Sequence, residues 1–260
     1  MGVAALVAAA AIAASPVSYV QSRQQDDGAF SEVGGTPSPE LTAWAALGLR
    51  AGGADTGSAL SFLVAHERAL STPTSIALVA LAEGALGHDP SGLLGRLAAR
   101  PQAVNEAIWD ILALRQARRP LPKALVTYLL RSQASSGGFA WARGVRPDSN
   151  DTAFAIQALR AAGVRATPVT RAVAFLRRFQ RRDGGFELAK GRGSDAQSTA
   201  VAIQGLVAAG SKPPPAAFRY LAGLRRADGS YRYSVRYAAT PLWVTSQALL
   251  ALARKPFPLR

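Results

Sequence analysis

A short pattern of residues recurs four times along this chain of 260 residues, and it constrains the fold more than any other feature. Each copy has an aromatic and an aliphatic residue, then Gln or Arg, Gly, and a second aromatic residue at fixed spacing. The copies are Tyr19-Val20 with Gln24, Gly28 and Phe30; Tyr128-Leu129 with Gln133, Gly137 and Phe139; Phe175-Leu176 with Gln180, Gly184 and Phe186; and Tyr220-Leu221 with Arg225, Gly229 and Tyr231. Repetition at one spacing is typical of a fold built from copies of one supersecondary unit.

An apolar, alanine-rich segment follows each copy, and the same alternation continues in weaker form between residues 30 and 133. Apolar helices are predicted to begin near Leu41, Thr74, Val104, Asp151, Gln197 and Leu242, and amphipathic helices near Val17, Ser58, Ser91, Lys123, Val169 and Ala216. A helix that is apolar on all sides is buried, whereas a helix with one apolar stripe keeps a solvated face.

Strict alternation of the two helix classes predicts an all-α fold, an α/α toroid (α6/α6 barrel) of six helical hairpins. The apolar helices form the inner ring, and the basic amphipathic helices form the outer ring. A closed ring leaves no terminal repeat exposed, unlike an open solenoid that needs capping units. We expect one toroid domain over residues 16–260.

The first 15 residues contain an apolar run with small residues before Ser15, which resembles a signal peptide and its cleavage site. The run is too short to cross a bilayer, and it lacks the usual positively charged start. It therefore predicts either a signal peptide or an N-terminal apolar helix. The first interpretation makes the protein secreted or extracytoplasmic, and the second makes it cytoplasmic.

The chain carries 30 Lys and Arg against 16 Asp and Glu, a formal net charge of +14. Such a balance is compatible with contact to a peripheral anionic surface. The densest clusters, Arg177-Arg178, Arg181-Arg182 and Arg225-Arg226, lack the interleaved aromatic residues of a nucleic-acid groove. We expect a solvated basic face and no nucleic-acid partner.

The third repeat, from Arg171-Ala172 through Gln180 to Phe186, is similar to the QW repeat of the squalene-hopene and oxidosqualene cyclases, with Phe at the usual Trp position. Over residues 17–253 the chain resembles the terpenoid-cyclase and protein-prenyltransferase α/α-toroid superfamily. The resemblance implies an α6/α6 barrel in which the Gln and the aromatic residue tie an outer helix to the following turn. Their role would be structural.

Residues 148–153, Asp-Ser-Asn-Asp-Thr-Ala, resemble the Asp-x-Asp-Asp-Thr-Ala motif of class II terpene cyclases. In that family the middle Asp is the proton donor, and here the position is Asn150. An amide cannot protonate an alkene, so the departure argues against cyclase chemistry. The alternative is a helix start in which Asp148 and its neighbours satisfy free backbone N–H groups, with ligand contact as a further option. Asp148 and Asp151 remain candidate catalytic carboxyls.

Other candidates for chemistry are few. Asp195 precedes the next apolar helix, and Asp110 interrupts an apolar one, where we expect a buried pair with an Arg or, alternatively, a cavity position with a perturbed pKa. The chain has no Cys, and its two histidines, His66 and His88, are not in a ligand-spaced pair. The zinc site that the prenyltransferase resemblance implies therefore lacks its residues, and we expect no metal and no cofactor.

Trp44, Trp109 and Phe154 occupy matching positions on three inner helices, and Trp243 lies one residue off that column. They either hold an apolar or prenyl-like ligand or fill the core. We expect a binding or scaffold module for an apolar ligand or a protein partner. The alternative is a terpene cyclase-like or prenyltransferase-like enzyme, against which the length of a single toroid also argues.

Overall fold

The computed structural model describes residues 14–97, 100–165 and 167–259, and these form twelve α-helices. They are α1 (Pro16–Gln21), α2 (Pro39–Ala51), α3 (Ala59–His66), α4 (Pro73–Ala85), α5 (Ser91–Leu94), α6 (Val104–Gln116), α7 (Lys123–Arg131), α8 (Ser149–Ala161), α9 (Thr167–Arg177), α10 (Ala196–Ala208), α11 (Pro215–Leu224) and α12 (Pro241–Leu252). A 3-10 helix, Glu67–Ala69, follows α3. Strands β1 (Phe186–Glu187) and β2 (Ser194–Asp195) pair antiparallel, with Phe186 opposite Asp195. Residues 1–13 of the predicted signal segment lie outside the described residues.

The even-numbered helices form the inner ring. Each contacts the next one along the chain, and α12 packs against α2, which closes the ring. The odd-numbered helices pack outside, each against one or two inner helices. The predicted α/α toroid, with inner apolar and outer amphipathic helices, is confirmed.

The repeated pattern joins successive outer helices. Gln133 Nε2 donates to the carbonyl oxygens of Gly137, at 2.9 Å, and Pro168, at 2.8 Å. Arg225, which replaces Gln in the last copy, donates to the Ala14 carbonyl at 2.9 Å. This bond joins the last repeat to the first. These side chains hold the ring together, as the resemblance implies.

The second aromatic residue of each copy sets the register of the following inner helix. Its backbone N–H donates to a threonine hydroxyl at 2.9–3.0 Å, in the pairs Phe30 with Thr42, Phe139 with Thr152, Phe186 with Thr199, and Tyr231 with Thr245. All four rings are buried. The four threonines therefore mark equivalent levels on α2, α8, α10 and α12.

Arginines near the ends of three inner helices satisfy the free carbonyls of the neighbouring helix. Arg50 Nε donates to Ala85 O at 3.1 Å, and Arg115 and Arg160 make the matching bonds to Ala161 O and Ala208 O at 3.0 Å. Cations at helix C-termini also interact favourably with the helix dipole. Part of the basic residue content therefore supports the ring.

Close contact between α2 and α12 requires Gly48. A Cβ atom there would lie 2.6 Å from the Ser246 carbonyl oxygen, so Gly48→Ala should reduce the free energy of unfolding by about 1–3 kcal/mol in urea denaturation. The control is Gly223→Ala in α11, where a Cβ meets nothing within 4 Å and a gain of roughly 0.5–1 kcal/mol is expected. Equal effects at the two glycines would contradict the close contact.

Candidate functional site

Three aromatic side chains form a layer across the centre of the barrel. The ring centroids of Trp44 and Trp109 are 5.8 Å apart, those of Trp109 and Phe154 are 4.8 Å apart, and those of Trp44 and Phe154 are 6.3 Å apart. Helices α2 and α8, which carry Trp44 and Phe154, stand opposite each other in the ring, so the contact spans the lumen. The structure therefore brings together three of the four aromatic residues predicted to line a site.

Trp243 lies at a different level from these three. Trp44 and Phe154 each follow a register threonine by two residues, whereas Trp243 precedes Thr245 by two. Trp243 is therefore one helical turn nearer the N-terminal end of the inner ring, and the expectation that it lies one residue off the column is wrong. It is half-buried, and its backbone N–H donates to Glu32 Oε1 at 3.1 Å.

The C-terminal segment enters the lumen from the end at which the inner helices terminate. The Phe257 ring lies 6.1 Å from that of Trp44 and 6.3 Å from that of Trp109. The Phe257 N–H donates to Gln157 Oε1 at 2.8 Å, and the Leu259 N–H donates to Gln116 Oε1 at 2.7 Å. This segment closes one end of the barrel, a role that the sequence analysis missed.

Polar residues lie above the aromatic layer at the other end of the barrel, where the inner helices begin, and we call this end the mouth and these residues its rim. Glu40, Asn105 and Asn150 each precede one of the aromatic residues by four positions, so they lie on the same helix face one turn nearer the mouth. All three are half-buried, and so is Trp109. The mouth therefore combines polar groups at its edge with an aromatic floor.

Asp148 and Asp151 act first as a helix start. Asp148 is the residue before α8, and its Oδ1 accepts a 2.8 Å hydrogen bond from the Asp151 N–H. Thr152 Oγ1 donates to the Asp148 carbonyl at 2.6 Å. The capping interpretation of this segment is consistent with each of these bonds.

The surroundings of the same two carboxyls raise the pKa of both. Burial raises the pKa of Asp148. The pKa of Asp151 is raised mainly by burial and, to a smaller extent, by the negative charge of Asp148. Two neighbouring, partly buried carboxylates do not both ionise readily. Asn150, between them in sequence, accepts a 3.2 Å bond from Ser149 Oγ.

Asp195 and Asp110 have other surroundings. Asp195 caps α10, accepting from the Ser198 N–H at 2.7 Å and from Ser198 Oγ at 2.9 Å, and burial raises its pKa.

Asp110 is 2% exposed, and within the described ranges it has no ion pair and its Oδ1 has no hydrogen-bond partner. The expected pair with an Arg is therefore wrong for this part of the chain. Burial, and then the Glu106 charge, raises the pKa of Asp110 to about 7.

A separate cavity of about 1120 Å³ opens where the inner helices α2, α4 and α6 end. Its wall includes Arg50, Arg115, Arg118, Arg119 and His88, together with Leu259 of the C-terminal segment. The cavity is on the opposite side of the aromatic layer from the mouth, and its guanidinium groups suit anions rather than hydrocarbons.

Across the described residues, no helix has both the length and the apolar character needed to span a membrane.

A closed double ring of alternating helices defines the class of α/α-toroid proteins. The chain belongs to the prenyltransferase α/α-toroid domain family, since the model of that family matches residues 106–237, just over half of the 260 residues. No curated protein matches the chain in sequence.

Several solved structures share the fold. The type II terpene cyclase MstE from Scytonema is 13% identical with a TM-score of 0.70, and the match covers 92% of this chain and 95% of MstE. A protein from Actinoplanes is 17% identical with a TM-score of 0.65, over 92% and 97% of the two chains. A glycosidase is 14% identical with a TM-score of 0.63, over 92% and 94%. At such identities the likeness shows the fold alone.

The MstE comparison corrects one argument made from the sequence. The length of a single toroid was expected to count against cyclase activity, because class II cyclases generally use a second barrel. This chain nevertheless covers 95% of a type II terpene cyclase. Chain length therefore does not separate a binding protein from an enzyme, and the decision rests on the residues of the site.

Proposed function

We propose that this protein binds an apolar, isoprenoid-type ligand at the mouth of the toroid and does not start cyclisation by protonation from position 150. The observation that carries the proposal is the aromatic layer of Trp44, Trp109 and Phe154 beneath the mouth. Aromatic rings offer large apolar contact areas, and pockets lined by them with a few polar groups are typical small-molecule sites.

The polar rim favours a ligand with one polar end. Glu40, Asn105 and Asn150 lie one turn above the aromatic floor, so an apolar chain can contact the rings while a hydroxyl or similar group reaches the rim. MstE, which shares the fold, has been solved with geranylgeranyl dihydroxybenzoate as its substrate. A geranylgeranyl compound is therefore a suitable probe for this chain.

Binding can be measured by titrating the purified protein with geranylgeraniol in isothermal calorimetry. Trp109→Ala should weaken binding roughly 5- to 30-fold, the effect of losing about 1–2 kcal/mol of aromatic contact. Trp109→Phe, which keeps a ring, should lose less. The control is Phe218→Ala, because Phe218 is a half-buried aromatic residue on the outer helix α11, where Arg254 lies over its ring at 5.0 Å. No saturable binding, or equal losses at Trp109 and Phe218, would overturn the proposal.

A second candidate function is proton transfer by the Asp148 and Asp151 pair, favoured by the raised pKa values of both carboxyls. We expect no cyclised product from squalene or from shorter isoprenoid diphosphates, either with the native chain or with Asn150→Asp. Asp148 already accepts a hydrogen bond from the Asp151 N–H at the helix start, so we do not expect it to hold and polarise the proton of a new carboxyl at position 150. Product above background in either assay would favour the enzyme.

Export, a protein partner and contact with an anionic surface stay predictions from the sequence. The ligand proposal does not depend on any of them, because it uses only residues of the inner ring.

A further inference from the structure

Outside the barrel lumen, three potential metal ligands meet beside α4. They are Glu67 in the 3-10 helix, Glu83 in the last turns of α4, and His88 in the loop after α4. One ligand atom from each lies within 4.8 Å of the other two. Sequence separations of 16 and 5 residues hide this cluster from any inspection for ligand-spaced motifs.

Glu83 is the member that requires an explanation. Glu83 is 0% exposed, and no group of the described residues donates a hydrogen bond to either of its carboxylate oxygens. A buried carboxylate without a partner is strongly unfavourable, and such groups are normally paired or bound to a metal. The neighbouring Glu67 carboxylate repels Glu83 unless a proton or a cation lies between them.

We propose that Glu67, Glu83 and His88 bind a divalent transition-metal ion, with Zn²⁺ the ion best suited to their donor atoms. One imidazole nitrogen and two carboxylate oxygens form a ligand set that zinc accepts, with a fourth position left for water or another ligand. A dication would neutralise both carboxylates and supply the partner that Glu83 lacks.

The geometry is close to what such an ion needs. Zinc binds these ligand types at about 2.0–2.2 Å, which in a tetrahedral arrangement places ligand atoms roughly 3.4 Å apart. Ligand atoms within 4.8 Å of one another must therefore approach by at most about 1.4 Å. His88 can supply that movement because its side chain is exposed and the preceding Gly87 has a φ of +88°.

Two guanidinium groups near the cluster already have partners. The guanidinium of Arg119 is already paired with Asp89 at 2.9 Å, and Arg96 donates to the Glu67 backbone carbonyl at 2.6 Å, which holds the 3-10 helix in place. The competing occupant is a proton, since burial and Glu67 raise the pKa of Glu83 to about 8. His88 also lines the cavity of about 1120 Å³, so an ion can reach it from solvent.

Zn²⁺ titration of the full chain, followed by the NMR signals of its two histidine rings, tests the proposal. His88 should shift with a saturable curve at a single ion per chain. His66 should shift much less, because it is not one of the three ligands and its Nδ1 already bonds to the Phe62 carbonyl at 2.8 Å. In calorimetry, His88→Ala and Glu83→Gln should each weaken zinc binding by at least about tenfold. Removing a residue that binds the ion directly costs more affinity than removing one that only supports a ligand. His66→Ala should leave affinity unchanged.

Glu83→Gln keeps the shape of the protonated acid, and its circular dichroism spectrum and melting temperature show whether it folds. If that variant unfolds, His88→Ala, at an exposed position, carries the test alone. Equal shifts of His66 and His88 would mean surface binding of zinc and would overturn the proposal. So would the absence of any His88 shift, which would leave the proton as the occupant of the cluster.

Discussion

Phe257→Ala should lower the free energy of unfolding by about 3–5 kcal/mol, the range for removing a buried phenylalanine side chain. Phe257 is 3% exposed and packs against Trp44 and Trp109 inside the lumen. The C-terminal segment is also held by hydrogen bonds to Gln116 and Gln157, so the surrounding residues cannot collapse freely into the space left by the ring. Urea denaturation followed by circular dichroism measures the change.

The matched control is Tyr237→Ala, an aromatic truncation at a residue that is 63% exposed. Surface substitutions of this kind usually change stability by less than about 0.5 kcal/mol. If Phe257→Ala has no larger effect than Tyr237→Ala, then the C-terminal segment does not close the barrel in solution.

Asp110→Asn should stabilise the protein at about pH 8 and change its stability little at about pH 4. The folded pKa of Asp110 is raised from 3.8 to about 7, so the native state favours the protonated acid. The contribution of the protonated acid to the free energy of unfolding is fully present below the unfolded pKa. It declines as pH rises and is lost once pH passes the folded pKa. A shift of about three units corresponds to at most about 4 kcal/mol, so we expect a gain of roughly 2–4 kcal/mol at the higher pH.

Denaturation at a series of pH values tests this expectation, with Asp26→Asn as the control for removing one negative charge at an exposed position. The Asp110→Asn gain should increase between about pH 4 and pH 7 and then level off. A gain that is the same at every pH, or the same as that of Asp26→Asn, would show that the buried carboxyl is not the cause.

Much of the fold can be predicted from the sequence because each repeat has the same types of residue at the same spacing. Gln133 and Gly137 belong to one copy, and their spacing already requires a particular turn after an outer helix. The polar residues before α8 likewise reveal a helix start, since Asp148 caps in the way its residue type favours. Alternation of apolar and amphipathic helices then leaves few architectures other than a ring.

The candidate site was predictable only in part. Trp44, Trp109 and Phe154 recur at one position of the repeat, so their meeting followed from symmetry. Trp243 was placed at the wrong level, because the register of α12 depends on a hydrogen bond between Tyr231 and Thr245 that hydrophobic spacing does not reveal.

The sequence by itself determined the helices, their alternation and the ring, because these depend on contacts within a repeat and between consecutive repeats. Only the tertiary structure decided that the C-terminal segment fills the lumen, that Asp110 has no Arg partner in the described part, and that Glu67, Glu83 and His88 converge. Those outcomes depend on which side chains face one another across the ring or between layers. No periodicity along the chain encodes such distances, since they arise only when the helices pack together.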